Sequence, residues 1–189
     1  MCIRDSLRTR MALLNGADLV LELPVSSACA SAEYFASGAV QVLDRLGCVD
    51  ALCFGSESGD TAALAACAEA LLTEHTAYQH TLRSLLKKGY SFPAARKEAF
   101  ADLNRSESLA GLLDSPNNIL GLEYIKALKR SNSKIQPFAL KREGAGYHDK
   151  DLSASFPSAT AIRNFLKEIP AGDKKIPSGY DGFLTNTMP

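Results

Sequence analysis

The feature that most constrains this chain is the alternation of apolar runs of strand length with segments of helical spacing. Two stretches, "ADLVLELPV" (17–25) and "VDALCFGSESGD" (49–60), each carry a nearly continuous apolar run. Strands buried on both faces of a parallel sheet read this way. The surrounding spacing predicts helices over Leu7–Asn15 with Gly16 as C-cap, over "SAEYFASGAVQVLDRLG" (31–47) ending at Gly47, and from Thr61 to about Leu72. A third strand, "KIQPFALKR" (134–142), tolerates Pro137 near its start. Repeated helix, strand, loop is the grammar of βαβ units, so the expectation is an α/β fold on a parallel sheet.

Between the second and third strands, Thr76 to Leu113 is helical by composition and is broken at "KKGYSFPAAR" by Gly89 and Pro93. It reads as a helical insertion lying against the sheet. A helix starting at Asn117 or Asn118 stacks Leu120, Tyr124, Ala127 and Leu128 on one face, and "ATAIRNFLKEI" (159–169) forms a last helix before Pro170. The first six residues, "MCIRDS", fit no pattern set up by the rest and are expected to be a leader foreign to the fold.

With 189 residues, 46% of them hydrophobic, the chain can bury a substantial core. Its apolar runs stop well short of the roughly 20 residues that cross a bilayer, and no secretory leader opens it, so the expectation is a cytoplasmic protein without a membrane span. Five cysteines without a C-x-x-C pair argue against a zinc site and a disulfide frame. Cys48 and Cys53 are expected to behave as small buried hydrophobes at a strand, and His75 and His80, five apart, as solvated. Twenty-one basic and twenty-one acidic residues cancel, so no global field attracts nucleic acid. From Lys126 to Arg142, however, there are six basic residues and no acid. Lys129 and Arg130 read as a solvated helix end, whereas Lys141 and Arg142 follow a strand.

Loops that follow parallel strands converge on one sheet edge, where open α/β sheets bind ligands. Glu22 ends the first strand there. In "FGSE" (54–57), Gly55 lets a ligand approach the backbone and Ser56 offers a hydroxyl. Lys141 and Arg142 are two cations at a strand end, a costly arrangement without an anionic partner. In "SATAIR" (158–163), Ser158 and Thr160 supply hydroxyls at a helix start and Arg163 lies one turn on, as suits a triphosphate; an ordinary capped helix gives the same letters. His148, in "YHD", is a conceivable general base or an idle loop residue. "SPNN" (115–118) poses its own question. One asparagine suffices to cap a helix, and the pair is either a turn with its cap or a cap plus a nucleotide contact.

In order along the chain, "ALLNGADLVLELPV", "SAEYFASGAV", "FGSESGD", "GYSFPAARKEA", "SPNNILGLEYIKAL", "KREGAGYHD" and "SATAIR" resemble the bacterial tRNA(Met) cytidine acetate ligases, nucleotidyltransferase-like proteins of the HIGH superfamily. The resemblance covers about Leu7 to Leu166. It implies a Rossmann-like ATP-binding domain over 7–169 with the helical insertion at about 76–113, and the start of a truncated C-terminal region over 170–189. It further implies activation of acetate by ATP, with Mg2+, to acetyl-adenylate, and acetylation of the wobble cytidine of elongator tRNA(Met). Carried over residue by residue, the ATP contacts fall at Gly55, at Asn118 or Asn117, and at Arg142, with Ser158, Thr160 and Arg163 as the phosphate-binding helix start. Ser56, Lys141 and His148 are further candidates, and one asparagine would cap while the other faces the nucleotide. The family's first strand and His-x-Gly-His loop should precede Leu7. No such motif occurs, so the catalytic residues are unassigned and the chain as written is expected to be an inactive, N-terminally incomplete part of an enzyme. Two alternatives stand beside this reading: an adenylyltransferase for a phosphorylated cofactor precursor, and a catalytically inactive nucleotide- or RNA-binding module.

Overall fold

A computed structural model describes residues 5–73, 76–104, 107–142 and residue 164, arranged as two compact units, 1–22 with 143–189 and 23–142. In the first unit, α1 (Asp5–Leu14) ends at Gly16, whose φ of +94° is open to glycine without a Cβ penalty. The run that follows forms no strand. Leu19 and Leu21 are exposed and 17–24 has no ladder partner among the described residues, so the apolar pattern of "ADLVLELPV" is not expressed as a strand. A strand exists only by pairing, and period alone cannot supply the neighbour. Glu22 accordingly ends no strand.

The second unit opens with a short helix the sequence did not announce, α2 (Val25–Ala28). Next come α3 (Ala32–Leu46), with Ser31 at its N-cap and Gly47 at φ +68° closing it, β1 (Ala51–Ser56) and α4 (Thr61–Leu72). Helix α4 is capped by the Asp60 carboxylate, which accepts from the Ala63 amide at 2.9 Å. The insertion comprises α5 (Thr76–Lys87), α6 (Phe92–Asn104), α7 (Glu107–Gly111) and a 3-10 turn (Leu112–Asp114). Helix α8 (Pro116–Arg130) and β2 (Gln136–Lys141) complete the unit.

Strands β1 and β2 pair in parallel, in register from Ala51 opposite Gln136 to Ser56 opposite Lys141. The α/β, parallel-sheet expectation is therefore met. The ladder continues at both ends, Gln136 N–H donating to Asp50 and Arg142 N–H to Ser56. The Ala139 N–H, on the other edge of β2, donates to Thr61 Oγ1 at 2.9 Å. Helix α8 is the hub. Leu122 and Ile125 pack with Phe54, Leu64, Cys67 and Phe100, whereas Leu128 packs with Val40 and Ile135.

Two expectations are corrected. The insertion lies on helices α4 and α8 and not on the sheet. β1 is covered on one face only by described residues: Phe54 and Ser56 are buried, while Cys53 is exposed on the opposite pleat and Cys48 is exposed before it. Among the described residues the buried thiol is that of Cys67 on α4, its pKa held up at about 11 by burial. Lys129 and Arg130 do face solvent, and each makes an exposed ion pair, with Glu69 and Glu33 respectively.

Candidate functional site

The C-terminal end of β1 meets the start of α8 through a reciprocal clasp. Asn118, 4% exposed, turns its carboxamide oxygen to the loop after β1. There it accepts from Ser56 Oγ at 2.7 Å, Glu57 N at 3.0 Å and Ser58 N at 3.2 Å. Three donors around one atom fix it as oxygen, because a carboxamide nitrogen cannot accept. The Ser56 proton is thereby committed to Asn118, so Ser58 donates in the 3.0 Å contact between the two hydroxyls. Gly59 N donates to Ser56 Oγ at 3.1 Å.

In return, the Glu57 carboxylate accepts from the Asn118 amide at 2.9 Å, from the Asn117 amide at 3.4 Å, and from Asn117 Nδ2 at 2.8 Å. Ser115 occupies the N-cap position without a side-chain cap bond, and α8 has no acid of its own in the first turn. A carboxylate brought from the β1 loop satisfies those amides and the positive end of the helix dipole. This corrects the expectation for "SPNN": neither asparagine caps α8, since Glu57 does. Asn118 caps the loop, and the first amides of the helix are occupied rather than open to a phosphate. Sequence reading missed Glu57, and the available signal was the missing acid at a helix start that follows proline.

Beside the clasp is a cleft of about 390 Å³ whose lining includes Gly55, Asn117, Gly121, Tyr124 and Arg142, a size within the range of small-molecule sites. Phe54 also lines it, its ring centroid 5.7 Å from that of Tyr124. Burial raises the Tyr124 phenol above its ordinary value. A Cβ at Gly121 would lie 2.5 Å from Phe54 Cε2, so α8 reaches β1 because this residue is glycine. Arg142 is fixed through its backbone to Ser56, and its Cγ is 3.5 Å from where a Gly55 Cβ would be. Its guanidinium makes no ion pair with the described residues.

Of the sequence candidates, the fold thus brings Gly55, Asn117 and Arg142 into one cleft and places Asn118 and Ser56 in the adjoining clasp. Lys141 does not line the cleft. Its backbone packs on Gly59, where φ is +66° and a Cβ would come within 2.9 Å of Lys141 Cα. His148, Ser158, Thr160 and Arg163 lie outside the described residues, as does His75; His80 is exposed. No group of three or more His, Cys, Asp or Glu among the described residues could hold a metal, and Glu57, the carboxylate of the clasp, is already engaged by α8. No helix of the described residues is long and apolar enough to cross a membrane.

A family model described as HIGH nucleotidyl transferase matches residues 4–187. The chain is 47% identical over 169 residues to the tRNA(Met) cytidine acetate ligase of Alkaliphilus metalliredigens, covering 84% of this chain and 40% of that protein. It is 44% identical over 183 residues to the protein of the same name from Acetivibrio thermocellus, covering 96% and 43%. Among solved structures it resembles apo Thermotoga maritima TmcAL, with a TM-score of 0.82 and 39% identity over 96% of this chain and 42% of that one. TmcAL bound with alpha-thio ATP matches with a TM-score of 0.76 and 42% identity, covering 88% and 39%. The chain therefore spans about two fifths of the length of these relatives.

Proposed function

The chain belongs to the HIGH nucleotidyl transferase family, and from that premise we propose that it forms part of the ATP site of a ligase that acetylates the wobble cytidine of elongator tRNA(Met). The observation that carries this reading is the convergence of Gly55, Asn117 and Arg142 on one cleft at the end of a parallel strand. The names of the relatives and the ATP analogue in one structural neighbour support it.

In the proposed reaction an acetate oxygen attacks the α-phosphorus of ATP and the bond to pyrophosphate breaks. The exocyclic amine of the cytidine then attacks the acetyl carbonyl, releasing AMP. Gly55 admits the nucleotide to the strand end, Asn117 presents a carboxamide, and Arg142 meets the phosphates with a charge-assisted hydrogen bond. Ser158, Thr160 and Arg163 are assigned to the same phosphates, with His148 as a further candidate, whereas Ser56, fully buried and bonded to Asn118, and Lys141, outside the cleft lining, are left out. The described residues do not fit a magnesium site, so Mg2+ in this reading arrives on the phosphates of ATP and no step is routed through it. The reading places the enzyme in the cytoplasm, with ATP and tRNA.

Titration calorimetry with ATP tests the site. Arg142→Ala should weaken binding by about 1.5–3 kcal/mol, the range for a hydrogen bond to a charged group. Gly55→Val should weaken it by filling the cleft. Unchanged affinity in both variants removes the cleft from the nucleotide site. On the gene product as encoded at its locus, acetate-dependent ATP–pyrophosphate exchange tests the reaction. Exchange driven instead by a phosphorylated cofactor precursor would indicate an adenylyltransferase, and salt-steep RNA binding without exchange would indicate a binding module.

A further inference from the structure

The motif "GYSFPAARKEA" has no part in the cleft just described, and of "LGLEYIKAL" the cleft uses Leu120, Gly121 and Tyr124 but not Glu123 or Lys126. The fold joins the two motifs at a second and larger cavity of about 650 Å³, between α3, the insertion and α8. At its wall Glu123 is buried, with a side chain only 3% exposed, and it is shared by two cations: Arg96 Nη2 donates to Oε1 at 2.8 Å and Lys126 Nζ to Oε2 at 2.7 Å. The Arg96 and Lys126 side chains are themselves 13% and 9% exposed.

One carboxylate does not balance two cations. A guanidinium has five N–H groups and an ammonium three, yet each makes one hydrogen bond to Glu123 and no other with the described residues. Among the described residues no fully buried side-chain nitrogen or oxygen lacks a partner, so the unbonded Arg96 nitrogens retain solvent access, and both Arg96 and Lys126 line the cavity. The second acid at the cavity, Glu33, is already paired with Arg130. At Glu123 itself two cations face one carboxylate, a surplus of one positive charge. Both cations act on neighbouring groups: the Glu33 carboxyl is lowered first by its hydrogen bond from Arg130 and further by Lys126 and Arg96, and both oppose the burial that raises Cys67. The rest of the wall is mostly apolar, with Leu82, Phe92 and Leu113 beside Ser31 and Tyr78. A partly open cavity with surplus positive charge at one wall and a largely apolar remainder is complementary to an anion carrying an apolar body.

We propose that this cavity is a binding site for a small organic anion, a carboxylate or phosphate monoester whose head engages Arg96 and Lys126 and whose body lies against Leu82, Phe92 and Leu113. The site is separate from the nucleotide cleft and does not depend on the reading of that cleft.

The full chain is titrated with benzoate and with phenyl phosphate while the backbone amides of α5, α6 and α8 are followed by NMR. Acetate, inorganic phosphate and neutral benzyl alcohol serve as controls for head and body alone. Saturable shifts centred on Leu82, Arg96 and Lys126, at least tenfold tighter for an aromatic anion than for every control, are expected. Whichever of benzoate and phenyl phosphate binds tighter identifies the head. Lys126→Gln, which keeps the Arg96–Glu123 pair, should weaken binding at least tenfold, and Leu82→Trp, which keeps every charge and fills the cavity, should abolish it. ATP affinity should be unchanged in both. Absence of saturable shifts overturns the proposal, as does binding that survives Leu82→Trp or that is matched by benzyl alcohol.

Discussion

Replacing Asn118 with alanine tests the clasp directly. The substitution removes one acceptor from three donors, the Ser56 hydroxyl and the Glu57 and Ser58 amides. Ser56 is fully buried and the two amides are partly so. An unmet buried donor costs about 1–3 kcal/mol. Water can enter the space left by the carboxamide, which favours the low end, so three donors at about 1 kcal/mol each give about 3 kcal/mol. That is a sizeable part of the 5–15 kcal/mol that holds a typical domain. Urea unfolding should show a lower midpoint at unchanged slope. Amide hydrogen exchange should speed up by about 100-fold at Glu57 and Ser58, as that energy implies. Asn117→Ala is the control: its side chain reaches only Glu57 from the cleft, so it should affect ATP binding more than stability. A loss below about 1 kcal/mol in Asn118→Ala, with Glu57 and Ser58 amides still protected, would refute the clasp.

Further outcomes follow from the same geometry. Glu57→Gln removes the charge at the start of α8 and should cost about 1–2 kcal/mol by urea unfolding, from the lost dipole and charge-assisted terms. Gly121→Ala gains about 1 kcal/mol of helix propensity but forces Phe54 aside, and the 1–3 kcal/mol cost of overpacking should prevail; a stabilised variant would show that α8 can move off β1 freely. At pH 8 a thiol reagent should label Cys29, Cys48 and Cys53 in the folded protein and reach Cys67 only on unfolding. Because the folded Cys67 thiol is raised from 9.0 to about 11, its contribution is fully present below pH 9 and lost as pH rises towards 11. That amounts to about 2–3 kcal/mol, and Cys67→Ala should flatten this limb of the stability profile.

What the sequence determined by itself is what a few neighbouring residues can decide. The end of α3 at Gly47, the break at Gly89 and the start of α4 after Asp60 were legible because a left-handed turn or a side-chain cap is a local event. The two paired strands were legible from their apolar runs, and the ordered motifs identified the family. Of the candidate residues picked out from the sequence, Gly55, Asn117 and Arg142 share a cleft. The tertiary structure alone decided the rest. Whether Cys53 or Cys67 is buried depends on which face of the sheet the helices cover, and "ADLVLELPV" stays unpaired among the described residues whatever its period. The cap of α8 comes from Glu57, 61 positions before the Asn118 amide it accepts. The charge balance at Glu123 depends on Arg96, a cation 27 positions away. Hydrogen-bond preference is written into local backbone, but which group meets it across a fold is set only when the chain closes on itself.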